Sequence, residues 1–271
     1  MKKLRWAGFL SLFFSTYLFA QPWTNVPDAE TTALGYCTSI QTGAFSLMNN
    51  PAGMQHDSTL TVAIFGENKF LLEGVNTFAV AATLPVHFGA FGLGVTQFGN
   101  TDYNQQRFSF GYAKKLLPNF SVGLSFDYVQ FQITEAEGVN AFTAGVGLQY
   151  QPTDEIYVGM RLFNPFKIAF SDFTGDQAPA VIALGAAYSP SEKAKLLIEV
   201  EKTTDFDLTF KAGIAYRIIP ALSLRVGYTD NPSHFTAGVG FYVGRFDFAI
   251  ANDFHPVLGS SPQISIQYHA K

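Results

Sequence analysis

The sequence has little charge. Asp, Glu, Lys and Arg make up 14% of its 271 residues, against about 25% in a typical soluble domain. It has a single cysteine, Cys37, which excludes an internal disulfide framework. It has no long run of Lys or Arg and a net charge of −4, so nucleic acid would find no basic face. Disorder is excluded as well, because it requires low hydrophobicity with high charge. No serine has glycines at the spacing of a hydrolase nucleophile elbow. The histidines at 56, 87, 234, 255 and 269 include no pair at helical metal-ligand spacing. These absences point to a non-enzymatic chain without cofactor or metal.

Apolar residues, by contrast, reach 48%, with 28 Phe and 24 Gly. So few charges would cover a soluble surface poorly, which predicts that part of the surface meets lipid. The N-terminus supplies the compartment. Lys2, Lys3 and Arg5 precede an uncharged run from Trp6 to Ala20, and Leu18 and Ala20 suit a cleavage site before Gln21. Residues 1–20 therefore read as a secretory signal peptide. No Cys follows at 21, so a lipoprotein is not expected.

From Gly74 to Thr101 there is no charged residue. Pro85 would break a helix there, and Gly89, Gly92 and Gly94 are poor helix formers. The period is two instead: Phe78, Val80, Ala82 and Leu84 lie on one face, and Phe91, Leu93 and Val95 alternate with small residues. The same alternation runs to the C-terminus, for example Leu196, Ile198 and Val200 against Lys195, Leu197, Glu199 and Glu201. It predicts strands at 59–66, 75–84, 87–99, 104–114, 119–132, 140–151, 155–163, 179–189, 193–203, 205–217, 220–229, 233–243, 245–253 and 261–269. Tyr128 and Val129 are both apolar, which predicts a bulge at that point.

Connections alternate too. Tight, mostly Pro-containing turns at Pro85, Pro118, Pro152, Pro190, Pro220 and Gly244 are interleaved with connections that are mostly longer and more polar. Fourteen strands of this length, with short turns at one end and longer loops at the other, suit a membrane barrel with its long-loop end outward. A soluble sandwich explains the alternation but not the apolar excess. Tyr112, Tyr150, Tyr188, Tyr216 and Tyr268 would form the aromatic girdle at the short-turn end, and Tyr228 would belong to the other.

Residues 21–57 precede the first strand and contain Ala33-Leu34-Gly35, Gly43-Ala44-Phe45-Ser46-Leu47 and Asn49-Asn50-Pro51-Ala52-Gly53. With 14 strands following in 58–271, this pattern resembles the FadL-like superfamily of outer-membrane barrels, and within it the PorV/PorQ-type proteins of Bacteroidetes. The resemblance implies an N-terminal hatch inside the barrel, with Asn50, Pro51 and Ala52 as its motif. It implies the outer membrane of a Gram-negative bacterium and lipid as partner. It also implies either secretion-complex proteins of the type IX system or, alternatively, passive transport of a small hydrophobic ligand. The loops are short for a fatty-acid transporter, and no long apolar surface loop is evident.

With apolar parity outward, the lumen would receive Arg107, Arg161, Lys195, Glu199, Glu201, Asp207, Lys211, Arg225 and Asp247. Inward glycines such as Gly92, Gly147, Gly185, Gly213, Gly238 and Gly240 would leave room for the hatch. The charges read first as ion pairs, since unpaired burial is expensive, and second as a site for an anionic head group. His234, Asp253 and His255, with Ser233, Ser260 and Ser261, lie near the outer ends of neighbouring strands, where the alternative to ordinary loop residues is a His–Ser pair. Asp172, Thr174 and Asp176 read as a polar loop rather than a Ca²⁺ site, and Cys37 as a small buried apolar residue.

Overall fold

The computed structural model describes residues 28–133, 138–166, 179–204 and 206–270. The signal segment and the loop carrying Asp172, Thr174 and Asp176 lie outside the described residues.

The strands are β1 Thr61–Asn68, β2 Asn76–Val86, β3 Gly89–Gly99, β4 Tyr103–Leu117, β5 Phe120–Ile133, β6 Val139–Tyr150 and β7 Ile156–Phe163. They continue as β8 Val181–Ser191, β9 Ala194–Thr203, β10 Thr209–Ile219, β11 Leu222–Thr229, β12 His234–Val243, β13 Phe246–His255 and β14 Gly259–His269. Each pairs antiparallel with its neighbours in sequence, and β1 pairs with β14 from Thr61↔His269 to Glu67↔Gln263. The sheet is thus a closed 14-stranded transmembrane barrel with no free edge.

Closure is what lipid demands. A backbone N–H or C=O facing hydrocarbon has no water to bond, so a spanning sheet must satisfy every one of them internally. The side chains divide as the period of two requires. Outward positions are large, apolar and exposed, as at Ile198 (64%), Leu93 (64%) and Phe142 (69%). Inward positions are mostly small or polar, and buried. Aromatic pairs mark one rim: Tyr112 against Phe91 at 5.1 Å and Phe246 against Tyr268 at 5.0 Å.

Two local expectations are corrected. No bulge occurs at Tyr128–Val129: the register with β4 and β6 runs unbroken through both residues. Val129 points inward and is fully buried, because the lumen at that level accepts an apolar side chain. The register shifts lie instead near the short-turn ends, at Lys115/Leu117, Tyr188/Ser191 and Arg217/Ile219. The tenth strand begins at Thr209 rather than 205. The chain leaves the preceding strand in a turn closed by Phe206 N–H on the Thr203 carbonyl at 3.3 Å. Asp207 therefore sits in the connection, exposed, and not in the lumen.

Residues 28–57 fill the barrel. They form helix α1 Ala29–Ala33 and 3₁₀ turns at Ala44–Met48 and Pro51–His56. Asp28 caps α1 by accepting from Glu30 N and Thr31 N, both at 3.1 Å, and reaches β14 through the Ser265 hydroxyl at 3.1 Å.

Ile198→Arg, at the middle of β9, is expected to cost about 2–4 kcal/mol, and Val243→Arg at the end of β12 about 0–1 kcal/mol. Urea titration of the protein folded into vesicles measures both. Equal costs would contradict a membrane-crossing β9.

Candidate functional site

The hatch is seated on a track of inward glycines. A Cβ on Gly147 would fall 2.0 Å from Asn50 Oδ1, and one on Gly123 would fall 2.3 Å from the Pro51 carbonyl carbon. At Gly159 it would meet the Ser39 carbonyl oxygen at 2.0 Å, at Gly213 the Leu34 carbonyl oxygen at 2.5 Å, and at Gly227 the Gly35 nitrogen at 2.1 Å. Gly92, Gly94 and Gly111 give the same room to Leu47, Met48 and Met54. Two inward glycines serve otherwise: Gly145 faces Ser125, and Gly240, expected beside the hatch, faces the Arg225 guanidinium.

Asn50, Pro51 and Ala52 sit on this track against Gly123 and Gly147. Asn50 Oδ1 accepts from Ala52 N at 3.2 Å and starts the 3₁₀ turn. Its amide donates to the Leu148 and Met160 carbonyls at 3.2 Å each, and to the Ser39 carbonyl. One side chain thus joins two strands of the wall to two parts of the hatch. Pro51 suits the first position of the turn because its missing N–H is not needed there. Ala52 is small enough for its backbone to approach Gly123.

Most of the expected lumen charges pair, and most pairs also hold the hatch. Arg107 bonds Asp127 at 2.9 Å and the Met48 carbonyl at 3.0 Å. Lys211 lies 3.1 Å from Glu199 and 2.9 Å from Glu201, and Arg161 lies 3.3 Å from Glu201 and 3.2 Å from Asn49 Oδ1. Glu199 accepts from Ser39 N and Ser39 Oγ, both at 2.6 Å, and from Thr38 Oγ1 at 3.3 Å. Arg225 pairs with Glu30 of α1 at 3.0 Å. Asp247 sits nearer the short-turn rim, 3.0 Å from His269. Lys195 lines a 270 Å³ cavity beneath the hatch, together with Leu34, Cys37, His56 and Tyr242.

Several members escaped sequence reading. Asp127 shares the inward parity of Gly123 and Ser125, which is the signal that could have found it. Glu30, Thr38, Ser39 and Asn49 carry no periodic signal at all. Burial raises the Cys37 thiol pKa, with the Glu199 carboxylate adding to the shift. Burial holds the pKa of His56 down to about 4, with Lys115 and Lys195 adding to the shift. The His56 ring meets Tyr157 Oη at 2.6 Å.

At the long-loop end the hatch meets a row of rings. Tyr36 of the hatch donates to Asp253 at 2.8 Å and stands edge-on to His234 at 5.7 Å. His234 stacks with His255 at 6.3 Å, and His255 lies 6.0 Å from Phe70 in the β1–β2 loop. Burial raises the Tyr36 pKa well above its usual value, and the Asp253 and Glu67 charges add to this, so the ring stays a donor. Phe70 N–H is anchored on Ser261 Oγ at 3.0 Å. Beside it Leu71 (65% exposed), Leu72, Val257 (82%) and Leu258 present bare apolar tips. The β1–β2 and β13–β14 loops that carry these tips are short, yet the tips are greasy. Among the described residues the three serines are bonded elsewhere than to a histidine: Ser233 to Tyr228, Ser260 to Asn252 and Ser261 to Phe70. His255 Nδ1 is engaged by Val257 N and Leu258 N.

No protein-family model matches the chain, and no curated protein matches its sequence. Solved structures do match its fold. The CymD monoaromatic hydrocarbon channel superposes with a TM-score of 0.68 at 14% identity, over 92% of this chain and 98% of that one. The Ralstonia pickettii toluene transporter TbuX gives 0.64 at 15%, over 91% and 100%. A Pseudomonas aeruginosa FadL homologue gives 0.66 at 10%, over 90% and 98%.

Two outcomes are expected at the site. Glu199→Ala removes three hatch bonds and leaves Lys211 with one partner, so it should cost about 3–5 kcal/mol. It should also open Cys37, buried in the native protein and expected to be silent to maleimide there, to labelling. Unfolded His56 protonates near pH 6.5 but folded His56 only near 4. Its contribution to stability is therefore lost as pH falls from about 6.5 to about 4. Denaturant titrations at pH 7 and 4.5 should show a smaller pH effect in His56→Gln. The chain has the fold of the FadL-type channels, a 14-stranded transmembrane barrel closed from within by its own N-terminal segment.

Proposed function

We propose that the protein is a non-enzymatic outer-membrane conduit for small hydrophobic molecules, with its long-loop end at the cell surface and the hatch as its gate. One observation carries this reading. The exposed apolar tips at Leu71, Leu72, Val257 and Leu258 lead through Phe70, His255 and His234 to Tyr36 of the hatch. Such a row gives an apolar solute contact area from the outer tip to the gate. The glycine track and ion pairs then oppose a standing aqueous pore, so passage requires the hatch to shift. That the chain shares its fold with hydrocarbon channels supports the same reading.

A second reading is a component of a surface or secretion complex, as in the PorV/PorQ-type proteins. It is favoured by the density of hatch contacts, above all the Arg161–Glu201–Lys211–Glu199 network, which suits a static plug better than a gate. A deletion strain separates the two. Loss of uptake of a toluene-sized hydrocarbon supports the conduit, and loss of secreted cargo supports the complex.

The gate has a direct test. The Cβ of Ala33 lies 2.6 Å from an ideal Cβ on Gly238, which would also stand 2.7 Å from the Ile250 carbonyl. A disulfide needs about 3.8 Å, so the two elements must part slightly to admit one. Uptake by the reduced Ala33→Cys/Gly238→Cys protein is first compared with that of the wild type. In a Cys37→Ala background, Ala33→Cys/Gly238→Cys should block hydrocarbon uptake when oxidised and restore it on reduction. Uptake unchanged by oxidation would overturn the gate. Labelling of Asp230→Cys on intact cells checks the orientation.

A further inference from the structure

The outward face of β3–β6 changes character abruptly near the long-loop end. Phe108, Tyr128 and Phe142 form an aromatic row across β4, β5 and β6, with ring centroids 6.2 and 5.0 Å apart. One step further out, the register places Gln97 beside Gln106, Gln106 beside Gln130, and Gln130 beside Asn140. Asn104 and Gln132 pair in a second row above. All have outward parity and are exposed or half-exposed. Adjacent strands lie about 4.8 Å apart, so the first row spans about 14 Å.

None of Gln97, Gln106, Gln130 and Asn140 has a side-chain hydrogen bond among the described residues, and Asn104 Oδ1 is covered without a partner. An amide offers both donors and acceptors. The aromatic row fixes the height, since such girdles sit at the boundary between hydrocarbon and head groups. The amides are therefore continuous with the lipid-facing belt and stand at head-group level. These rows contain no Lys or Arg, which an anionic phosphate would favour. Neutral donors and acceptors in a row match the hydroxyls of a saccharide.

We infer that the Gln97–Gln106–Gln130–Asn140 ladder is a docking surface for the saccharide head group of an outer-leaflet glycolipid, with the acyl chains against Phe108, Tyr128 and Phe142. The inference rests on the orientation proposed above, which the Asp230→Cys labelling tests separately. It does not depend on what passes through the lumen.

The test uses purified full-length protein in detergent, titrated with rough-type lipopolysaccharide and followed by native mass spectrometry. Gln106→Leu/Gln130→Leu is expected to weaken lipopolysaccharide binding at least tenfold and to leave anionic phospholipid binding unchanged. Equal lipopolysaccharide binding by both proteins would overturn the inference. So would a change of oligomeric state on sedimentation, which would make this face a contact between barrels. If the double variant does not fold, as judged by heat-modifiable gel mobility, wild-type protein still decides. Phosphatase-treated lipopolysaccharide should compete as well as the native form, and loss of competition would assign the binding to phosphate instead.

Discussion

Hydrocarbon offers no partner for a backbone N–H or C=O, and the rest of the structure follows from that constraint. It forces the strands to pair without an edge, and the pairing of β1 with β14 closes the ring. A ring of 14 strands encloses more space than its small inward side chains fill. The residues that precede β1 occupy that space, and their own polar backbone then needs partners inside the barrel.

Those partners explain why the lumen is both glycine-rich and charged. Glycine lets the hatch backbone come within contact of the wall, as at Gly123 against Pro51 and Gly159 against Ser39. Where the hatch leaves donors and carbonyls uncovered, charged wall residues reach them. Glu199 takes the Ser39 amide and Arg107 gives to the Met48 carbonyl. Glu199 and Arg107 each also find an opposite charge on the adjacent strand, Lys211 and Asp127, because burial of either one alone is costly. Arg225 finds its partner in Glu30 of the hatch itself, so the network is fitted to the hatch and balanced with it. An anionic head group would have to displace existing partners to use it.

The two ends of the lumen differ in kind. The polar cavity bearing Lys195 lies on the short-turn side of the hatch. At the other end the hatch presents Tyr36 to a row of rings and bare aliphatic tips. Two residues of the β1–β2 loop, Phe70 and Leu71, adopt left-handed backbone with φ of 57° and 54°. That conformation costs bulky side chains energy. Here it coincides with the Phe70 contacts to Ser261 and His255 across the β1–β14 seam.

The barrel can be read from the periodicity of the chain. Strand parity is a local property with period two, so Ile198 outward and Glu199 inward could be read without knowing any partner. The alternation of tight and longer connections told the two ends apart. Parity also placed Arg107, Arg161, Lys211 and Arg225 inside. It misled only where a local signal was ambiguous: at Val129, an inward apolar residue that looked like a slip, and at Asp207, which lies just before its strand begins. Tertiary structure alone decided which inward residues touch the hatch. Asn50 meets Leu148 and Met160, and Tyr36 meets Asp253, across separations of 98 to 217 residues. Such pairings leave no periodic trace, because the hatch is irregular and its register on the wall is set by shape and hydrogen bonding at each point of contact.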